Sequence, residues 1–266
     1  MAPRYELILR VDHEADRPAA PVDRTGGGAE NRTPLRLAVA QPACVPRNVA
    51  ANARGHAAAV RAAGARVVLF PELSLTGYEL DAPVVAVDDA RLAPLVGACG
   101  ETGTLALAGA PVAGEHGQRG EHIGTLAVTG AGVTVAYRKM WLGEVEARRF
   151  RPGDAPAVLT VDGWRLGLAI CKDTGVAAHA ARTAALGVDG YLASVLEHAR
   201  DAAVPDERAR RIATARRLFV AVASFAGSTG GGYTAAAGRS AVWTPTGDVL
   251  GRAGDAPGDL VRVRLR

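Results

Sequence analysis

Three apolar runs of β character in this chain each adjoin a side chain that can do chemistry. Val67 to Phe70 leads into Glu72 within Phe-Pro-Glu-Leu-Ser-Leu-Thr-Gly-Tyr (70–78). Val133 to Tyr137 leads into Lys139 within Tyr-Arg-Lys-Met-Trp-Leu (137–142). Trp164 to Ile170 leads into Cys171 within Gly-Leu-Ala-Ile-Cys-Lys-Asp (167–173). A thiol nucleophile needs a proton acceptor and a positive group for the oxyanion, and Glu72, Lys139 and Cys171 are a set for that task.

Between these runs the pattern alternates. Strands are expected at 35–41, 67–70, 104–110, 123–128, 133–137, 157–161, 164–170, 190–195, 218–224, 240–244, 248–251 and 260–265, and helices at 47–63, 88–99, 175–186 and 206–217. Asp162-Gly163 and Pro245-Thr246-Gly247 mark hairpins. Strands alternating with helices imply an α/β protein with covered sheets, and the hairpins make those sheets mixed. Residues 1–33 differ: Met1 to Val11 suits a short strand, and the Pro, Gly, Asp and Arg that follow suit a flexible extension. The remaining 34–266 reads as one domain.

Composition removes several function classes. Hydrophobic residues make up 48% of the 266, enough for a large core, and the net charge of +4 comes from dispersed side chains rather than a basic block. Nucleic acid is not expected as a partner. No apolar stretch reaches the roughly 18 residues of a membrane span, and no secretory signal opens the chain. The three cysteines, Cys44, Cys99 and Cys171, lack CxxC spacing, and the six histidines form no HxH or HExxH pair. Neither a disulfide framework nor a metal site is expected, and a reducing, cytoplasmic compartment fits. Lysine is rare: of 31 basic residues only Lys139 and Lys172 are lysines. Arginine cannot replace lysine as a compact point charge, and both lysines fall inside the segments quoted above.

The order and local sequence of the three segments resemble the nitrilase superfamily of carbon–nitrogen hydrolases. The resemblance runs from Leu35 to about Leu265. It implies a four-layer α-β-β-α sandwich with two mixed β-sheets, which periodicity alone does not give. It implies that Glu72 is the general base, Lys139 the oxyanion stabiliser and Cys171 the nucleophile, with the backbone N–H after Cys171 as second donor. It also implies a second glutamate that orients Lys139 and the substrate. Glu146 is preferred for this on its spacing from Phe150 and Pro152-Gly153, with Glu144 as rival. Lys172 is a further candidate substrate-binding residue. A strand-to-helix turn at Cys171 would aim the thiol at a positive helix end and lower its pKa. Asp173 is expected to support that turn, and Cys44 and Cys99 to be inert.

Three departures stand out. Trp141 replaces the histidine that the family usually carries two residues after the lysine, Thr174-Gly175-Val176-Ala177 replaces Phe-Pro-Glu after the cysteine, and an asparagine near Gly124 is absent. The resemblance implies a cofactor-free amidase acting on a small linear amide or N-carbamoyl compound, as a homodimer or higher homo-oligomer. The nearest alternative is a nitrilase using the same triad. Alternatives from other classes are a peroxidatic thiol, for which no resolving cysteine is evident, and a non-catalytic scaffold of the same fold.

Overall fold

A computed structural model describes residues 32–114 and 120–266. The first sheet holds β1 (Leu35–Ala40), β2 (Val67–Leu69), β3 (Leu105–Ala113), β4 (Glu121–Thr129), β5 (Gly132–Arg138) and β14 (Leu260–Leu265), in the order β14-β1-β2-β3-β4-β5. The second holds β6 (Val158–Val161), β7 (Trp164–Ile170), β8 (Gly190–Val195), β9 (Phe219–Ser224), β12 (Ala241–Trp243) and β13 (Val249–Arg252), in the order β13-β12-β9-β8-β7-β6. A small pair, β10 (Ala226–Gly227) and β11 (Ala236–Ala237), stands apart. Each large sheet has a parallel centre, β1-β2-β3 or β7-β8-β9, flanked by antiparallel neighbours. The parallel steps require crossovers. Helices α1 (Val49–Ala63) and α2 (Ala93–Thr102) supply them in the first sheet, and α3 (Ala177–Ala185) and α4 (Ala203–Arg216) in the second.

Alternation along the central strands sorts the side chains into three cores. Leu35, Leu37 and Val39 of β1, with Leu105 and Leu107 of β3, face the second sheet and share one core with Leu166, Leu168 and Ile170 of β7. Ala38 and Ala40, with Ala106, Ala108 and Ala110, face α1 and α2. Tyr191, Ala193 and Val195 of β8 meet Ala209, Ile212 and Ala213 of α4. A period of two, with both faces buried, therefore reads as an unbroken apolar run. Three cores separate four layers, α-β-β-α, as the resemblance implies.

Element boundaries differ from expectation where local chemistry intervenes. The helix expected at 88–99 starts as a 3₁₀ turn capped by Asp89, whose Oδ1 accepts the Arg91 N–H at 2.9 Å. Pro94, tolerated only in a first turn, places the start of α2 at Ala93. The helix expected at 175–186 is split: a 3₁₀ turn covers Cys171–Gly175, Val176 is extended, and α3 follows. The Asp162-Gly163 hairpin forms with both residues at positive φ, 49° and 83°, as a type I′ turn requires. The β10-β11 pair was not expected. Arg32 and Thr33, assigned to the extension, are tied to the second sheet: Arg32 pairs with Asp189 at 2.6 Å and Thr33 accepts the Trp164 indole N–H at 3.0 Å. The strand expected at 1–11 lies outside the described residues. No helix among the described residues is long and apolar enough to cross a membrane.

The topology brings Glu72, Lys139 and Cys171 to one end. β2 and β7 are central parallel strands, and β5, two antiparallel steps from β3, runs the same way as β2. The two sheets are pinned at that end by Ser194 Oγ, which donates to Phe70 O at 2.7 Å. The loop carrying Glu72 lies directly on β3. A Cβ on Gly109 would run into Leu73 N and stand 2.7 Å from Pro71 O and 2.9 Å from the Glu72 carbonyl carbon. All three are backbone atoms, so the loop itself would have to move. Gly109→Ala is expected to destabilise the fold by about 1–3 kcal/mol, the usual range for overpacking, read by denaturant unfolding. Unchanged stability would contradict this close approach.

Candidate active site

The site is built around a buried ammonium. Lys139, 1% exposed, follows β5 and donates to Glu72 Oε1 at 2.6 Å and Glu146 Oε1 at 2.8 Å. Its backbone is held by Lys139 N–H to Ile123 O at 2.8 Å and Gly153 N–H to Lys139 O at 2.8 Å. Gly153 is needed there because a Cβ would collide with Arg138 O. Glu146 opens a 3₁₀ turn (Glu146–Arg148) and takes two further donors, Tyr78 OH on Oε1 at 2.7 Å and Gly143 N–H on Oε2 at 2.6 Å. Glu144, the rival two residues earlier, is exposed. Glu146 therefore joins the cluster and Glu144 does not.

Two carboxylates around one ammonium leave an excess negative charge in a dry place, and the pKa values follow. Burial pushes the Glu72 carboxyl up to about 7, with Lys139 pulling it down and Glu146 pushing it back. Burial works against the Lys139 charge, but Glu72, the Cys171 side chain and Glu146 outweigh it and raise its pKa. Burial likewise opposes the Glu146 charge, but Lys139, Tyr78 and the Gly143 amide hold its pKa below the usual range. Lys139 thus stays an ammonium while Glu72 titrates near neutrality. Glu72 Oε2 is buried without a hydrogen-bond partner among the described residues, so that oxygen is the open proton acceptor of the cluster.

Cys171 follows β7 with φ 41°, in the left-handed region that a Cβ disfavours. It is half-buried, and its Sγ donates to Leu196 O at 3.5 Å. It stands close enough to Glu72 to bias that carboxyl towards its charged form. The expected lowering of its pKa is not found. Burial raises the thiol, the Glu72 charge raises it further, and Lys139 only partly opposes them. Burial is the main cause and the Glu72 carboxylate adds to it, while what directly follows the cysteine is a five-residue 3₁₀ turn rather than the expected helix. Cys44 and Cys99 are also pushed up, each to about 12, chiefly by burial. What separates Cys171 from them is its neighbours, not its acidity. A thiol of this kind reacts by handing its proton to a base as it attacks.

Lys172 is exposed and donates to Leu142 O at 2.6 Å, outside the charged cluster. Asp173 is buried and supports the turn as expected, its Oδ2 accepting the Ile170 N–H at 2.9 Å. Trp141, in place of the expected histidine, meets the His179 ring edge-on at 5.6 Å.

Sequence reasoning missed an aromatic wall. Tyr78 packs on Tyr233 at 5.1 Å between centroids, and Tyr233 stacks on His198 at 4.1 Å. The loop carrying Tyr233 sits on the glutamate segment, with Tyr78 N–H donating to Thr229 O at 2.9 Å. A Cβ at Gly231 would collide with Tyr78 O. The run Gly230-Gly231-Gly232, all at positive φ, was the available signal for this tight turn. No group of three or more His, Cys, Asp or Glu among the described residues is arranged to hold a metal ion.

The buried ion cluster gives a test that needs no substrate. Removing one partner of a buried pair costs about 3–5 kcal/mol. Lys139→Met is expected to lose that much at pH 8, and less at pH 5, where the stranded carboxylates take up protons. Urea unfolding at both pH values reads it, and a loss under about 1 kcal/mol at pH 8 would contradict the buried pairing.

Comparison with known proteins agrees with this architecture. Residues 36–265 match the carbon–nitrogen hydrolase family. An amidase of the nitrilase superfamily from Nesterenkonia sp. AN1 is 28% identical with a TM-score of 0.76, covering 87% of this chain and 90% of that one. A glutamate-to-glutamine mutant of that amidase is known with acrylamide added to its active-site cysteine by Michael addition, and a cysteine-to-alanine mutant in complex with butyramide. Nit3 of Saccharomyces cerevisiae, from branch 10 of the superfamily, shares the fold at 18% identity and a TM-score of 0.76, with 87% and 90% covered. The "Hydrolase in pqqF 5'region" of Pseudomonas protegens is 29% identical over 229 residues, 83% of this chain and 79% of that protein. With four layers in the same arrangement and a match along nearly all of its described length, the chain belongs to the carbon–nitrogen hydrolase family of the nitrilase superfamily.

Proposed function

We propose that the protein hydrolyses the carbon–nitrogen bond of a small linear amide or N-carbamoyl compound through a thioester on Cys171. The observation that carries this reading is Lys139 held between Glu72 and Glu146 at 2.6 and 2.8 Å, with Cys171 beside them. An amide rather than a nitrile is favoured by the 28% identity to the Nesterenkonia amidase, a cysteine-to-alanine mutant of which is known in complex with butyramide.

Glu72 takes the Cys171 proton as sulfur attacks the carbonyl carbon. The carbonyl oxygen becomes an oxyanion, held by the Lys139 ammonium and the Lys172 backbone N–H. As the tetrahedral adduct collapses, the C–N bond breaks and Glu72 returns the proton to the departing ammonia or amine. A water then gives its proton to Glu72 and attacks the thioester. The C–S bond breaks, the acid leaves, and the proton goes back to sulfur. Lys139 stays charged throughout. Glu146 holds it in place and adds to the rise that burial gives the pKa of Glu72.

Ammonia release over a panel of amides, N-carbamoyl amines and nitriles tests the reading. Turnover of a linear amide or carbamoyl compound is expected, lost in Cys171→Ala and kept in Cys44→Ala and Cys99→Ala. Lys139→Arg should lower kcat/KM by about 10²–10³, because a guanidinium is larger and planar where a compact donor is needed. Substantial activity in Cys171→Ala would sink the mechanism.

The acid limb of kcat/KM reports the free base. With Glu72 raised to about 7, activity should fall as pH drops through that value and level off above it. Glu146 is one of the charges that raise Glu72, so Glu146→Gln should move the limb to lower pH. A limb at the ordinary carboxylate pKa in the unmodified protein would remove Glu72 as the base.

A further inference from the structure

Behind the nucleophile lies a second buried polar array that the reaction above does not use. Asp173, His179 and Tyr191 are 0% exposed and Tyr137 is 3% exposed. Asp173 Oδ2 takes the Tyr137 hydroxyl at 2.7 Å as well as the Ile170 N–H at 2.9 Å, and Oδ1 takes the Trp141 N–H at 2.9 Å. The Tyr137 oxygen lies 3.0 Å from His179 Nε2, and His179 Nδ1 lies 2.7 Å from the Tyr191 oxygen.

Counting protons fixes the direction of this chain. Burial raises the Asp173 pKa, but two backbone N–H groups and a phenol converge on the carboxylate and, with the Lys139 charge, favour its ionised, acceptor-only form. The single Tyr137 hydrogen is therefore spent on Asp173. His179 Nε2 must then carry the hydrogen shared with the Tyr137 oxygen. Burial, helped by nearby Arg182, pushes the His179 pKa down to about 4, so the ring is neutral and Nδ1 is bare. Tyr191 donates to it. With Asp173 ionised, each hydroxyl and ring nitrogen is satisfied in one order: Tyr191 to His179 to Tyr137 to Asp173.

The end of that chain is where it bears on the site. Ile170 precedes Cys171 and Trp141 follows Lys139 by two residues. The two oxygens of one carboxylate therefore tie the nucleophile turn, held at positive φ, to the loop of the buried ammonium. We propose that His179, held as the neutral tautomer with its proton on Nε2, is a positioning residue: through Tyr137 it fixes the Asp173 carboxylate, and through that carboxylate the spacing of Cys171 and Lys139. Its place on α3, eight residues beyond the nucleophile, lets the crossover helix set the geometry of two loops that it does not carry.

The kinetic arm of the test rests on the hydrolase reading. His179→Leu and Tyr137→Phe should each lower kcat by about 10–100-fold, since small misplacements of reacting groups cost up to about 10². KM should change by less than about 3-fold, and His179→Gln, which keeps a donor near the Nε2 position, should recover most of the rate. The double variant should be no worse than the worse single one, because the two side chains act as a unit. Rates are taken per folded protein, at temperatures below each variant's Tm; if His179→Leu does not fold, Tyr137→Phe, which loses one oxygen, carries the comparison. A residue serving stability alone would lower Tm and leave kcat unchanged, and that result overturns the proposal.

The second arm needs no substrate. Nitrogen-15 NMR of the full-length protein at pH 7 should show His179 with a protonated Nε2 and a bare Nδ1. A ring protonated on Nδ1, or on both nitrogens, overturns the proposal whether or not the chain hydrolyses amides. The expected tautomer with no turnover of any amide, carbamoyl compound or nitrile would instead fault the hydrolase reading and leave the array standing.

Discussion

A lysine ammonium buried between two carboxylates is the constraint around which the rest of the molecule is arranged. Taking three charges out of water is expensive, and the attraction between them offsets that only when geometry is good and the remaining lone pairs are satisfied. Here Glu146 has Tyr78 and Gly143 as additional donors, while one Glu72 oxygen has no hydrogen-bond partner among the described residues. The cluster is thus complete on one side and deliberately short of a donor on the other. That asymmetry makes one carboxylate a fixed anchor and leaves the other able to take up a proton, as the proposed mechanism requires.

The surrounding fold supplies the rigidity this requires. Gly109 and Gly153 let two backbone segments come closer to their neighbouring strands than any side chain would permit. Ser194 bridges from the second sheet to Phe70, two residues before Glu72. Leucine, isoleucine and valine fill the space between the sheets, while alanines of β1 and β3 face α1 and α2. Small side chains on that outer face bring the helices close and set the depth at which the strand ends, and hence the charged groups, lie below the surface.

The parts of this arrangement that were legible in the sequence are those written locally. Strands β1, β8 and β14 appear as apolar runs within a residue or two of their true ends, and the Asp162-Gly163 turn is spelled out by its residue types. Glu72, Lys139 and Cys171 could be singled out because each adjoins such a run. The two-sheet sandwich was not legible from periodicity, since a strand buried on both faces looks alike whether helices or a second sheet cover it. It came from the resemblance. The acidity of Cys171 was misjudged because the argument was one-dimensional. A helix was read after the cysteine, whereas the structure has a short 3₁₀ turn, and burial, with Glu72 from 99 residues earlier in the chain adding to it, raises the thiol. Tyr78, Tyr233 and His198 were missed for the same reason: their contacts join loops far apart in sequence.

The two lysines show where composition stops and three-dimensional structure begins. In a chain whose other 29 basic residues are arginine, lysine rarity marks Lys139 and Lys172 equally, and both sit in segments that the resemblance covers. Burial divides them. Lys139 is enclosed, with an acceptor on either side, in a space where a planar five-donor guanidinium would leave hydrogens unsatisfied and push the carboxylates apart. Lys172 reaches from the surface to a single carbonyl, Leu142 O, a bond that an arginine could also make. Its side chain spans from the Cys171 turn to the loop after Lys139, so it adds an exposed tie between the same two loops that Asp173 joins inside. Rarity therefore identified the neighbourhood correctly, but the need for lysine itself follows from enclosure, which sequence composition does not record.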